Sequence, residues 1–296
     1  MKKLSNSSSG QALPLVLLSM SVVLTIVLSI LARSTVDIGV STRSEESVRA
    51  FSAAEAGIEQ ALVAGELSGA VGSATFDAHV SNFSSGVSEF ILPSSIYSGE
   101  SAIVWFTSHD DDGNLVCDAE NPCFTGSQLQ VCWGKEGTSP DLGTTPALEV
   151  SIIYLSTPGD YLTAKIAREV IDPSAVRRSL NSFSAVDGGT CEVDGQTFPF
   201  KKTLDLASLN IPVGSYGASG GLQLARIASL YNTDMGHPVS INLSFAGNST
   251  LPAQGVIIDS SGVSGSSTRK VEVIRGFKEL PGIFETVVLS QGGITK

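Results

Sequence analysis

Residues 10–34 read GQALPLVLLSMSVVLTIVLSILARS, and no charged residue stands between Lys3 and Arg33. The stretch from Ala12 to Ala32 is almost unbroken in its apolar character, and about 20 such residues suffice for a helix to cross a bilayer. Lys2 and Lys3 precede it with no acid beside them, whereas Arg33, Asp37, Arg43, Glu45 and Glu46 mix both signs after it. That asymmetry predicts an N-terminus on the cytoplasmic side. A cleaved secretory signal fits poorly, because its apolar core should be shorter and Leu31 stands where a small residue is wanted before a cut.

The pattern continues outward. No proline occurs from Ser34 to Glu66, and Val48, Phe51, Ala54, Ile58, Ala61 and Leu62 recur at three- and four-residue spacing, as one face of a helix does. A single helix over 11–66 is expected, with a membrane segment at 12–32 and an amphipathic outer half. At 1.5 Å per residue it would run roughly 80 Å. The outer stripe must bury on something, most simply the chain's own later residues. Pro14 falls in the first turn, where a missing amide donor costs little. Ser21, Thr25 and Ser29 lie four apart on one face of the apolar half, placed either to bridge to a neighbouring helix or to bond carbonyls of their own.

From Gly69 onward short alternating runs separated by turn residues predict a mainly antiparallel β-rich domain over 67–296, an α+β chain overall. The strand candidates are 101–108, 128–133, 147–156, 161–167, 239–245, 255–259, 270–276 and 283–290, the run from Val239 to Phe245 reading as a half-buried strand. Residues 65–72 read as the linker, and the loops at 106–128 and 134–146 as long, polar and exposed. Cys117, Cys123, Cys132 and Cys191 are compatible with two disulfides in any of three connectivities, or with a local Cys117–Cys123 bridge and two buried thiols.

Composition narrows the function. A chain of 296 residues with 42% hydrophobic content can bury a core, and a net charge of −11 without a basic stripe argues against nucleic-acid binding. The chemical motifs are thin. Gly217-Ala218-Ser219-Gly220-Gly221 has the spacing of a nucleophile elbow, but Pro212, Gly214 and Ser215 stand where its strand is needed, and Leu222, Gln223 and Leu224 read as much like a strand as the helix that should follow. Asp110, Asp112 and Asn114 alternate as in a calcium loop, yet Leu115 and Asn121 stand where glycine and glutamate are required. The cysteine spacing is not that of a structural zinc site, there is no phosphate-binding loop, and His79, His109 and His237 are scattered. No cofactor, metal or catalytic residue is expected, and the chain reads as a non-enzyme.

The stretch at 10–34, followed by RAFSAAEAGIEQAL at Arg49–Leu62, resembles the N-terminal helix of type IV pilus minor pilins and secretion-system pseudopilins. The resemblance implies a leader at 1–10, cleavage by prepilin peptidase between Gly10 and Gln11, and insertion of the helix among those of other pilin-like subunits through an inner-membrane assembly platform. Loss of the leader would take the formal charge from −11 to −13. Major pilins usually carry Phe or Met first and Glu four residues later, where this chain has Gln11 and Leu15. A minor subunit that primes, caps or decorates a filament is therefore implied, single-pass in the cytoplasmic membrane with its β-domain outside and able to pass into an extracellular filament. RKVEVIRGFKELPGIFETVVLS, at 269–290, resembles the closing strands of large pilin-like proteins and implies a domain complete at that end. The rivals are the tip pseudopilin of a secretion system, a single-pass adhesin or binding protein, and a tethered hydrolase using Ser219.

Overall fold

The computed structural model describes residues 12–110, 112–244 and 247–278. The chain runs α1 (Ala12–Ala64), β1 (Leu67–Val71), β2 (Ala74–Phe83), β3 (Glu89–Ile91), β4 (Ser101–Trp105), β5 (Ser108–His109), β6 (Leu115–Val116) and β7 (Gln128–Trp133). It continues with β8 (Ala147–Leu155), β9 (Ala164–Ile171), α2 (Ala175–Asn181), β10 (Cys191–Val193), β11 (Gln196–Phe198) and β12 (Phe200–Asp205). Then come α3 (Val213–Tyr216), β13 (Leu222–Leu230), β14 (Val239–Asn242), β15 (Gly255–Ser264) and β16 (Ser267–Gly276). The described residues form two compact units: 12–80 with Ile258–Val273, and Ser81–Ile257 with 274–278.

The first unit is α1 on a sheet of order β1-β2-β15-β16. The helix ends where Gly65 takes a φ of +81° and its N–H donates to the Ala61 carbonyl at 3.0 Å, the left-handed stop that glycine allows. Helix and sheet touch through small residues: Ala50, Ala53, Ala54 and Ala61 are buried with Ile58. A Cβ at Gly262 of β15 would overlap the Ala50 carbonyl oxygen and stand 2.6 Å from the Ala54 nitrogen, so the helix backbone rests directly on the strand. Polar contacts fix the rotation. Glu46 accepts from the Ser266 N–H at 3.1 Å and its hydroxyl at 3.0 Å, and Arg269 donates to the Ser47 hydroxyl at 2.7 Å.

The expected linker at 65–72 is instead mostly strand β1, paired with β2 from Leu67↔Ala78 to Val71↔Ala74. The physical reason lies at Gly69, where a Cβ would stand 2.8 Å from a ring carbon of Phe76. That glycine makes room for an aromatic ring across the hairpin and does not mark slack chain.

The second unit holds two four-stranded sheets, β12-β7-β14-β3 and β4-β13-β8-β9, and the hairpins β5-β6 and β10-β11. Both large sheets feed one core, with Leu129, Val131 and Trp133 from β7 and Leu148, Val150 and Ile152 from β8 among its members. Pairing is antiparallel in both. β14 is buried on both faces and not on one as expected, since Ser240 is as enclosed as Ile241. Its Ser240 face lies in the sheet beside Cys132, in a cluster formed by Cys132, Cys191, Val193 and Phe198. Residues 161–163 form a 3-10 turn, capped by the Asp160 carboxylate accepting from Leu162 N–H, and the strand begins at Ala164. The candidate at 101–108 divides into β4 and β5. The candidate strand at 283–290, and Phe245 of another, lie outside the described residues.

Candidate assembly surface on the N-terminal helix

Residues 13–45 of α1 are exposed throughout, and Ala50 is the first position to be fully buried. From residue 12 to 45 the helix rises about 50 Å, whereas a bilayer's hydrocarbon core is about 30 Å thick. The stretch 12–32 alone matches that core. Beyond Arg33, the side chains of Val36, Ile38, Val40 and Val48 remain 62–64% exposed among Asp37, Arg43, Glu45 and Glu46. Val36 and Val40, four residues apart, share one helix face.

The stripe read from the sequence is divided. Ala54, Ile58 and Ala61 bury, while Val48, Phe51 and Leu62 stay exposed at 63%, 46% and 38%. Contact with β15 requires backbone-to-backbone approach, which selects alanine and glycine and turns the bulky positions outward. A Cβ on Gly57 would already stand 2.8 Å from the Phe76 ring.

Within the apolar half the hydroxyls turn inward on their own helix. Ser21 donates to the Leu18 carbonyl at 2.9 Å and Thr25 to the Ser21 carbonyl at 2.6 Å, so the polar groups are satisfied without a neighbour. Ser29 is exposed. Arg49 and Glu45 form an exposed ion pair one turn apart, a pairing that contributes little. Gly10 and Gln11, the expected cleavage pair, lie outside the described residues.

At the foot of the helix His79 lies 2.7 Å from Glu66 and 3.0 Å from Asp77. The bond to Glu66, then that to Asp77, raises its pKa above the usual histidine value.

The cysteines pair Cys117–Cys123 and Cys132–Cys191, with Cα separations of 5.4 and 6.1 Å. The second bridge ties the β10–β11 hairpin to the core strand β7, a connection invisible in spacing alone. Ser219 stands exposed on a turn that follows helix α3 and precedes strand β13, the reverse of the order a nucleophile elbow needs. The Asp110 carboxylate is occupied by its own turn, accepting from the Asp112 and Asn114 N–H groups at 3.0 and 2.8 Å and from the Asn114 amide. Those bonds, led by the Asn114 side chain, hold its pKa low.

No family model, curated protein or solved structure matches the chain. The architecture itself, a long apolar N-terminal helix packed by its outer end on an antiparallel sheet, is pilin-like.

Proposed function

We propose that the chain is a structural minor subunit of a type IV pilus or related filament, with its helix bedded among the helices of other pilin-like subunits and its β-domain facing outward. One observation carries the reading: about 50 Å of helix, from residue 12 to 45, stands free of its own chain, well beyond the roughly 30 Å of a bilayer core, and the excess stays helical with Val36, Ile38 and Val40 exposed among its polar residues. A lone tether needs only about the first 21 of those residues and no continuous helix beyond them. The two disulfides suit an extracytoplasmic domain. On this reading the chain has no catalytic role; prepilin peptidase, the assembly platform in the cytoplasmic membrane and lipid are its partners. Leu15 in place of glutamate leaves no carboxylate to meet a neighbour's buried amine, which favours a position that occurs once, at the start or tip of a filament, over a repeating one.

The test is to express the chain with and without prepilin peptidase and read the first residue by mass spectrometry. Gln11 is the expected mature terminus, with Gly10→Val blocking its formation. An intact Met1 in the presence of the peptidase, or a cut near Arg33, removes the pilin reading in favour of a tether or a secreted protein.

A further inference from the structure

Two loops of the second unit enclose a cavity of about 240 Å³: residues 134–146, which follow β7, and residues 231–238, which lead into β14. Both are held firmly. Arg177 of α2 donates to the Gly143 and Thr145 carbonyls, each at 2.8 Å, and stacks 4.3 Å over the Tyr231 ring, so one guanidinium secures both walls. It is anchored in turn by the fully buried Asp172, at 2.7 and 3.0 Å. On the other side Asn232, also fully buried, accepts from Ser229 at 2.7 Å and donates to the Ile96 carbonyl at 2.8 Å. Loops fixed this way on a rigid sheet are where binding sites are built.

The lining is mixed in a particular way. His237 is 3% exposed, and its Nδ1 accepts from the Lys135 N–H at 3.1 Å, which places the proton of the neutral ring on Nε2. Among the described residues nothing accepts a hydrogen bond from that Nε2, and the ring lines the cavity. Burial lowers the ring's pKa, with nearby Asp234 opposing, and keeps it an uncharged donor near neutral pH. Asp234 is fixed by the Thr144 hydroxyl at 2.9 Å and the Met235 N–H at 3.0 Å, and the Thr144 bond first among its causes holds it ionised. Lys135 and Glu136 stand at the rim, while Leu142 and Met235 offer half-exposed apolar surface.

We propose that this cavity binds one ring of a neutral sugar, its hydroxyls donating to Asp234 and accepting from His237 Nε2, and its C–H face resting on Leu142 and Met235. The charge excludes the main rival, since Asp234 and Glu136 outnumber Lys135 and would repel a carboxylate or phosphate. Size sets the limit. Pockets for drug-sized ligands begin at about 300 Å³, so this one holds a monosaccharide and not a chain of them. The site shares no residue with the helix surface, and its existence does not depend on filament assembly.

The experiment is saturation-transfer NMR on the full chain in micelles of a sugar-free detergent, with glucose, galactose, mannose and N-acetylglucosamine as separate millimolar probes. Transfer to at least one sugar is expected, weakened about tenfold by Asp234→Asn through loss of a charged acceptor. Asp234 is exposed, so the variant's amide spectrum should otherwise match the parent's. The assignment is overturned if none of the four sugars shows transfer, if Asp234→Asn binds undiminished, or if inorganic phosphate or acetate displaces the sugar.

Discussion

Replacing Gly262 with alanine tests how α1 is held. The new Cβ would overlap the Ala50 carbonyl oxygen and stand 2.6 Å from the Ala54 nitrogen, both backbone atoms that cannot rotate away. Restoring an ordinary contact of about 3.5 Å to the Ala54 nitrogen alone requires the helix to lift by about 0.9 Å, clearing the overlapping Ala50 oxygen requires more, and a gap of that size forfeits about half or more of each dispersion contact beneath it. Ala50, Ala53, Ala54, Ile58 and Ala61 all share the interface. Overpacking of this kind costs about 1–3 kcal/mol, and the backbone origin of the clash places this case near the top of the range. Gly39→Ala is the control, because a Cβ there meets nothing within 4 Å and removing a mid-helix glycine should stabilise by about 0.5–1 kcal/mol. Hydrogen exchange of the amides at 50–64 reads the outcome. Protection there should fall by roughly two orders of magnitude in Gly262→Ala, about 1.4 kcal/mol for each factor of ten, and should not fall in Gly39→Ala. A loss below about threefold in Gly262→Ala would refute the direct backbone contact.

The disulfides should differ in weight. In the chain-entropy account a closure of 59 residues contributes about 4 kcal/mol and one of 6 about 2 kcal/mol, so urea unfolding should show the larger loss for Cys132→Ser with Cys191→Ser than for Cys117→Ser with Cys123→Ser. Arg177→Ala leaves the fully buried Asp172 carboxylate without its charge partner and should cost about 3–5 kcal/mol in the same assay; a loss under about 1 kcal/mol would show that Asn181 and the Ser174 N–H suffice. The imidazole of His79 should titrate above 6.5 by NMR, falling back on Glu66→Gln. Because its folded pKa is the higher one, its stabilising effect is complete below the unfolded value of about 6.5 and disappears as pH rises through the folded value.

How much of this could be read in advance depended on side-chain size. The apolar rod and its outward continuation to near Glu66 follow from charge, proline and glycine placement, and β7 lies where the pattern predicts it, at Gln128–Trp133. What escaped was built from alanine, serine and glycine. β2 buries Ala74, Phe76 and Ala78 on alternate positions, and β13, the strand between β4 and β8, alternates Leu222, Ala225 and Ile227 with a slip at Leu222/Leu224. Small residues register weakly as apolar, so both strands fell below notice. The same bias weighted Val48, Phe51 and Leu62 in the helix, although close packing on β15 required Ala50, Ala54 and Gly57. Cavity-lining groups such as His237 and Asp234 were visible only as scattered residues, because their meeting depends on how 134–146 and 231–238 are pinned through space.

The central claim is that the uncovered rod beds against other rods, and photo-crosslinking in the native membrane tests it most directly. A benzophenone side chain is placed in turn at Val23, Ile38, Val48 and Phe51, all exposed on α1, and at Leu162, the 98% exposed control on the domain surface. Protein adducts to other helix-bearing subunits are expected at Ile38, Val48 and Phe51, above the bilayer, as well as at Val23. Lipid adducts alone at Val23, with no protein partner at the three outer positions, would contradict it.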